Sequence, residues 1–161
     1  MRYTKGSLGR IFLLKFDDDD IVLKELDKFA RREQLKAATL IFLGALKKGD
    51  IVTGPKKPVI PPEPNWTKFK DGWEVMGIGT IFTNRKGLPC TGGAPKGRRL
   101  VQGPQIHIHT SMGKKEETLT GCVRKDSKVF LVIEAVVFEL KGIKATKDID
   151  PETGLNLLKI L

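Results

Sequence analysis

The side chains best suited to chemistry lie in "PQIHIHTSMGKKEETLTGCV", positions 104–123. The chain has two histidines and two cysteines, and this stretch holds His107, His109 and Cys122. In a strand, side chains at i and i+2 share a face, so His107 and His109 point together while Ile106 and Ile108 point the other way, to the core. Two imidazoles whose α-carbons stand about 7 Å apart can converge on one ion, through nitrogen–zinc bonds of roughly 2 Å. A chain that leaves His109, turns through "SMGKKEE" and returns as "TLTGCV" makes a hairpin that brings Cys122 back beside the pair. Gly121 removes a side chain where the backbone would need to come close. A thiolate with two imidazoles is a three-ligand set that suits zinc best among the common metals, with a fourth position left for water, substrate or another ligand. The spacing alone leaves an alternative open, a solvent-facing histidine pair followed by a buried thiol.

The elements that must position these groups are legible in the periodicity. "LGRIFLLKF" (8–16) predicts a strand, and "DDDD" (17–20) ends it and supplies an acidic N-cap. Val22, Leu23, Leu26, Phe29 and Ala30 recur at helical spacing, and Arg31 and Arg32 sit where a helix C-terminus favours cations. "AATLIFLGAL" is a continuous apolar run that suits a buried strand, ending in a turn at "KKGD". The proline-rich 54–65 segment predicts a surface connection. "GWEVMGIGTIFTN" (72–84) predicts a strand in which Gly77 and Gly79 mark a bulge or a close backbone approach. A Gly/Pro-rich basic loop follows at about 84–103, then the histidine strand, a long apolar strand over 128–141 and a final "GLNLLKIL". One helix among six or more strands, without βαβ alternation, predicts an α+β domain built on a mainly antiparallel sheet with the one main helix.

Bulk properties narrow the function classes. The chain of 161 residues is 40% hydrophobic and 30% charged, an ordinary globular composition that predicts a single domain over 1–161. Two cysteines cannot form a disulfide framework, which predicts a reducing, cytoplasmic setting. No apolar run approaches the roughly 18–20 residues that cross a bilayer, and the first apolar run breaks at Lys15 before four aspartates, unlike a secretory leader. These features predict a soluble protein without a membrane partner. The net charge of +10 points to an acidic partner such as nucleic acid, or to solubility alone.

"PQIHIHTSMG", followed by "TGCV" and the apolar "FLVIEAVVFEL", resembles the plants-and-prokaryotes-conserved (PPC) domain family. That family's pattern is a proline, one residue, a histidine pair around an apolar residue, a short turn to glycine, and a Gly-Gly-His-Leu segment. "GRIFLLKF" with its helix, "LIFLGAL", "MGIGTIF" and "LNLLKIL" fall in the family's order, so the resemblance spans nearly the whole chain. It implies a homotrimer whose subunits are mixed sheets flanked by helical structure. It also implies a DNA-binding or regulatory role, and metal held through three histidines. His107 and His109 match the histidine pair. The third position departs from the pattern: Thr120 stands for the first glycine, Cys122 for the histidine and Val123 for the leucine. Cysteine for histidine exchanges one good zinc ligand for another. It also weighs against catalysis, because a thiolate donates more charge and lowers the acidity of a bound water.

Other motifs carry less. "GGAPKGRR" (92–99) has the glycine spacing of a phosphate loop, but arginine stands at the lysine position and no Ser/Thr follows. The plant branch of the family couples this domain to an AT-hook built on Arg-Gly-Arg-Pro, and "KGRR" lacks the proline. Arg85, Lys86, Lys96, Arg98 and Arg99 remain candidate nucleic-acid contacts, against a solvated or trimer-contact loop. Glu134, amid an apolar strand, needs a partner such as Arg10 or a cation across a subunit boundary, or else serves as an acid/base near the metal. Cys90 reads as a plain loop thiol. The leading expectation is a zinc-binding homotrimer with a regulatory or ligand-sensing role and DNA contacts. The alternatives are a metal-dependent enzyme acting on a small substrate through an open zinc position, and a structural module locked by its metal.

Overall fold

A computed structural model of the chain describes residues 1–84 and 103–161. The predicted first strand is β1 (Ser7–Asp17), and the helical spacing becomes α1 (Val22–Arg32), which buries Val22, Leu26, Phe29 and Ala30. The aspartates do not cap that helix. Ile21 is the N-cap residue and offers no side-chain bond, while Asp18 and Asp19 reach Lys47 at 2.7 and 3.3 Å, and Asp19 also meets Lys128 at 3.2 Å. Beyond α1 come β2 (Ala37–Pro55), β3 (Pro64–Thr83), β4 (Pro104–Lys114), β5 (Glu117–Val123), β6 (Lys128–Lys141), β7 (Ala145–Ile149) and β8 (Asn156–Ile160).

Six strands form one sheet in the order β1-β6-β2-β3-β4-β5, and β5 pairs again with the far end of β2 through Ile51↔Val123 and Val52↔Cys122. β2, β3, β4 and β5 thus curl into a closed circuit. β7 and β8 form a separate hairpin.

These elements correct the expected α+β class with a mixed sheet and one main helix packed on it. The protein is mostly antiparallel β, with a single eleven-residue helix among the described residues. Every strand pairing among them is antiparallel, so the sheet is not mixed. The physical reason is strand length. "KKGD" does not turn the chain; β2 absorbs it in a register shift between Leu46 and Lys48 and runs on to Pro55. β3 likewise starts at Pro64, well before the alternating segment. A bulge lets a long strand bend while keeping its ladder, so turn-forming residues sit inside strands here.

The inner face of the sheet carries the main core, with Leu40, Phe42, Ile81, Ile108, Ile133 and Val137 packed around Leu26 and Phe29. Gly77 and Gly79 make room for it. A β-carbon on Gly77 would lie 2.3 Å from the Phe42 ring, and one on Gly79 would lie 2.8 Å from Ile108. Close approach, rather than a bulge, explains both. The outer face is divided. At one end Phe82 packs with Ala37 and Ala145 under the β7–β8 hairpin. At the other, Leu13, Leu43, Met76 and Ile78 are 79%, 60%, 67% and 59% exposed. No helix among the described residues is long and apolar enough to cross a membrane.

Candidate metal centre

The predicted hairpin forms. β4 and β5 pair antiparallel around a turn at Lys115 and Glu116, with His109 directly opposite Cys122. Ile108 is fully buried on the inner face, which places His107 and His109 together on the outer one. Their rings meet edge to face, with the two Nε2 atoms 3.2 Å apart. A tetrahedral zinc with nitrogen bonds of about 2.0–2.1 Å needs an N···N edge of roughly 3.3 Å, so the imidazole pair already has the spacing of two ligands. Nitrogen and sulfur donors of His107, His109 and Cys122 all lie within 4.8 Å of one another. Gly121 does mark a close backbone approach, but to β2 rather than within the hairpin, since a β-carbon there would stand 2.4 Å from the carbonyl oxygen of Val52. The closing contact between β5 and β2 needs that glycine.

The surroundings of the cluster set the protonation states of its donors. Burial, helped by the nearby Lys147, His109 and Arg124, holds the His107 imidazole down at about 4. It is neutral at physiological pH and keeps a lone pair for a metal. Burial pushes the Cys122 thiol above its ordinary range, although the Arg124 guanidinium opposes this. The thiol therefore keeps its proton until a metal takes its place.

Two cations were not anticipated from the sequence. Arg124 donates to Cys122 Sγ, and its Nη1 also donates to the Val123 carbonyl at 3.2 Å. It stands two residues beyond Cys122, and that period-2 spacing was the available signal. Lys147 is only 5% exposed, and its Nζ donates to Thr80 Oγ1 at 2.8 Å. Thr80 is the β3 partner of His107, so Lys147 reaches the cluster from the covering hairpin. Burial lowers its ammonium to about 8. Nothing in "ATKDI" marks that lysine as buried.

Other candidate residues stand apart. Glu134 is exposed on the outer face and does not pair with Arg10, which instead binds Glu139 at 2.9 Å and Glu33 at 3.2 Å. Arg85, Lys86, Cys90, Lys96, Arg98 and Arg99 lie outside the described residues. His109, Ser111, Thr120 and Glu134 line a groove of about 610 Å³ together with the exposed Leu13, Ile41, Leu43, Met76 and Ile78. The candidate centre therefore borders the uncovered apolar field.

Comparison with known proteins supplies a family. The sequence model of the Plants and Prokaryotes Conserved (PCC) domain matches residues 3–141. A metal-containing protein from Archaeoglobus fulgidus is 21% identical with a TM-score of 0.75, over 99% of each chain. A plant- and prokaryote-conserved (PPC) protein from Pyrococcus horikoshii is 23% identical with a TM-score of 0.76, over 100% of this chain and 99% of its own. A protein from Ralstonia eutropha JMP134, whose name proposes a DNA-binding role, is 16% identical with a TM-score of 0.67, over 92% of this chain and 90% of its own. At these identities the likeness is one of fold. No curated protein sequence matches the chain.

Proposed function

Since this chain belongs to the Plants and Prokaryotes Conserved domain family, we propose that it is a cytoplasmic, zinc-binding homotrimer with a regulatory role that includes contact with DNA. His107, His109 and Cys122 are the metal ligands in this reading. The observation that carries it is the convergence of two imidazole nitrogens at 3.2 Å beside a thiol fixed opposite one of them in the β-ladder. The metal content of the Archaeoglobus fulgidus relative supports the same reading. Zinc is preferred because it is a borderline-soft ion that suits a mixed set of nitrogen and sulfur donors.

Self-association is supported by the outer face. Ile41, Leu43, Met76 and Ile78 form adjoining exposed apolar positions on β2 and β3, and Leu13 extends them across Val136 of β6, a patch that soluble monomers rarely leave open. DNA contact is supported by the net charge of +10 and by the proposed role of the Ralstonia eutropha relative. Arg85, Lys86, Lys96, Arg98 and Arg99 are its proposed contacts.

Protein purified without chelators should carry about one zinc per chain, and His107→Ala or Cys122→Ala should release it. Absence of metal from the wild type would overturn the assignment. Duplex DNA should bind at low salt with an affinity that falls steeply as salt is added. Undetectable binding at low salt removes the DNA role and leaves the metal reading intact. A metal-dependent enzyme acting on a small substrate is the second reading, favoured by the groove that His109 and Glu134 line together. It requires a fourth position reachable from that groove, and a zinc-loaded structure with four protein ligands would exclude it.

A further inference from the structure

The cations around the cluster exceed the anions that could balance them. Lys147 is 5% exposed, yet among the described residues its one hydrogen bond goes to the Thr80 hydroxyl and it has no carboxylate partner. An ammonium has three donors, and a buried charge persists only where something compensates it. Arg124 is only partly buried, but it too contacts the Cys122 sulfur and a backbone carbonyl and no carboxylate among the described residues. Both lie close enough to the cluster for their charges to act on His107 and on Cys122. With a divalent ion in place, one thiolate would face that ion and two cationic side chains, a strong local excess of positive charge.

On the reading of His107, His109 and Cys122 as zinc ligands, we infer that the centre takes a small oxyanion, one oxygen of which fills the fourth position while Lys147 holds its charge. The side chain comes from the covering hairpin and is anchored at Thr80, which sits directly opposite His107 in the ladder. Side chains so placed stand about 4.5–5.5 Å apart at their β-carbons, a spacing that lets one small anion span metal and ammonium. Arg124 is already turned toward the sulfur, so it is suited to offset the thiolate rather than the incoming ligand. The ligand class is a carboxylate or a phosphate, which share this chemistry.

Cobalt(II) in place of zinc makes the fourth ligand visible, because its visible absorption bands respond to coordination. The full chain is loaded with cobalt and its metal content measured. It is then titrated separately with acetate and with inorganic phosphate at constant ionic strength. Saturable band changes are expected in the wild type, and the tighter of the two anions identifies the class. Lys147→Met should keep the cobalt and weaken the anion at least about tenfold. Lys147→Arg should keep most of the affinity, and Lys147→Gln reads the same loss if the methionine variant does not fold. A cobalt-loaded wild type blind to both anions overturns the inference, as does equal affinity in the neutral variant. Failure to hold cobalt at all overturns the metal reading itself, and the inference with it.

Discussion

Zinc uptake should expel the proton of Cys122, and the number of protons released can be worked from the site. Burial raises the thiol above its ordinary value of 9.0. At pH 7 fewer than about one thiol in a hundred is then ionised, since each pH unit is a factor of ten. Binding as the thiolate must release close to one proton per zinc. The apparent affinity should accordingly rise about tenfold, or roughly 1.4 kcal/mol, for each pH unit between 7 and 9. His107 adds nothing to this slope above about pH 5, because its imidazole is already neutral down to about 4. Between pH 7 and 9 the thiol sets the direction: affinity is gained as pH rises and lost as it falls. Calorimetric zinc titrations in two buffers of different ionisation enthalpy give the proton count directly. Cys122→His is the informative comparison, because it keeps three ligands while removing the thiol. A water on the metal would be more acidic in the histidine variant, where no thiolate donates charge, so both titrations are run with excess acetate in place of that water. The difference between them at pH 8 should be close to one proton. Equal counts in the two proteins would show that Cys122 is not a ligand.

Gly77→Ala should cost about 1–3 kcal/mol in urea unfolding, because its β-carbon would meet the Phe42 ring at 2.3 Å and the His109 carbonyl oxygen at 3.0 Å; an unchanged midpoint would contradict the packing described. If the proposed trimer forms through the exposed apolar field, Leu43→Arg places a charge in it, and sedimentation should show a folded monomer where the wild type sediments as a trimer. If that variant still sediments as a trimer, the contact face lies elsewhere. Arg10 holds Glu139 down at about 2, against 4.5 for an ordinary glutamate. That stabilisation is present above pH 4.5 and disappears as pH falls toward 2, so Glu139→Gln should flatten the acid limb of stability against pH. Ile108→Ala should cost about 2–5 kcal/mol and also weaken zinc, since this fully buried side chain fixes the strand between the two histidines.

Much of the site was legible because strand chemistry is periodic. Alternation at Ile106, His107, Ile108 and His109 was enough to separate core from histidine face, and the hairpin was enough to return Cys122 to His109. Gly77, Gly79 and Gly121 were recognisable as close-approach positions, and a β-carbon added at any of them would stand under 3.0 Å from a neighbouring atom. Strand extent was less legible. Lysines, glycine and aspartate in "KKGD" favour a turn locally, but the pairing of β2 with both β3 and β6 overrides that preference. Glu134 was misplaced for a related reason. An apolar strand normally implies two buried faces, whereas β6 buries Ile133, Ala135 and Val137 and turns Glu134 outward. Lys147 was illegible altogether, because its burial depends on a hairpin folding over a strand more than sixty residues away in sequence.

The same periodicity that aligns the histidines also decides what lies next to them. His109 pairs with Ile78, and Ser111 pairs with Met76, so the histidine face of β4 continues into the exposed apolar face of β3 and β2. On the other side, His107 pairs with Thr80, where the β7–β8 hairpin begins to cover the sheet through Lys147. The cluster therefore sits on a border, with a cation-bearing cover at one edge and an uncovered apolar field at the other. Further copies seated on that field would exclude water from the groove that His109 lines, and lower dielectric strengthens the attraction between a metal and an anion beside it. Association and ligand capture would then reinforce each other by reciprocal linkage. Two histidines two residues apart would supply the ligands of the proposed centre, but the strand's partners on either side determine the environment in which they would act.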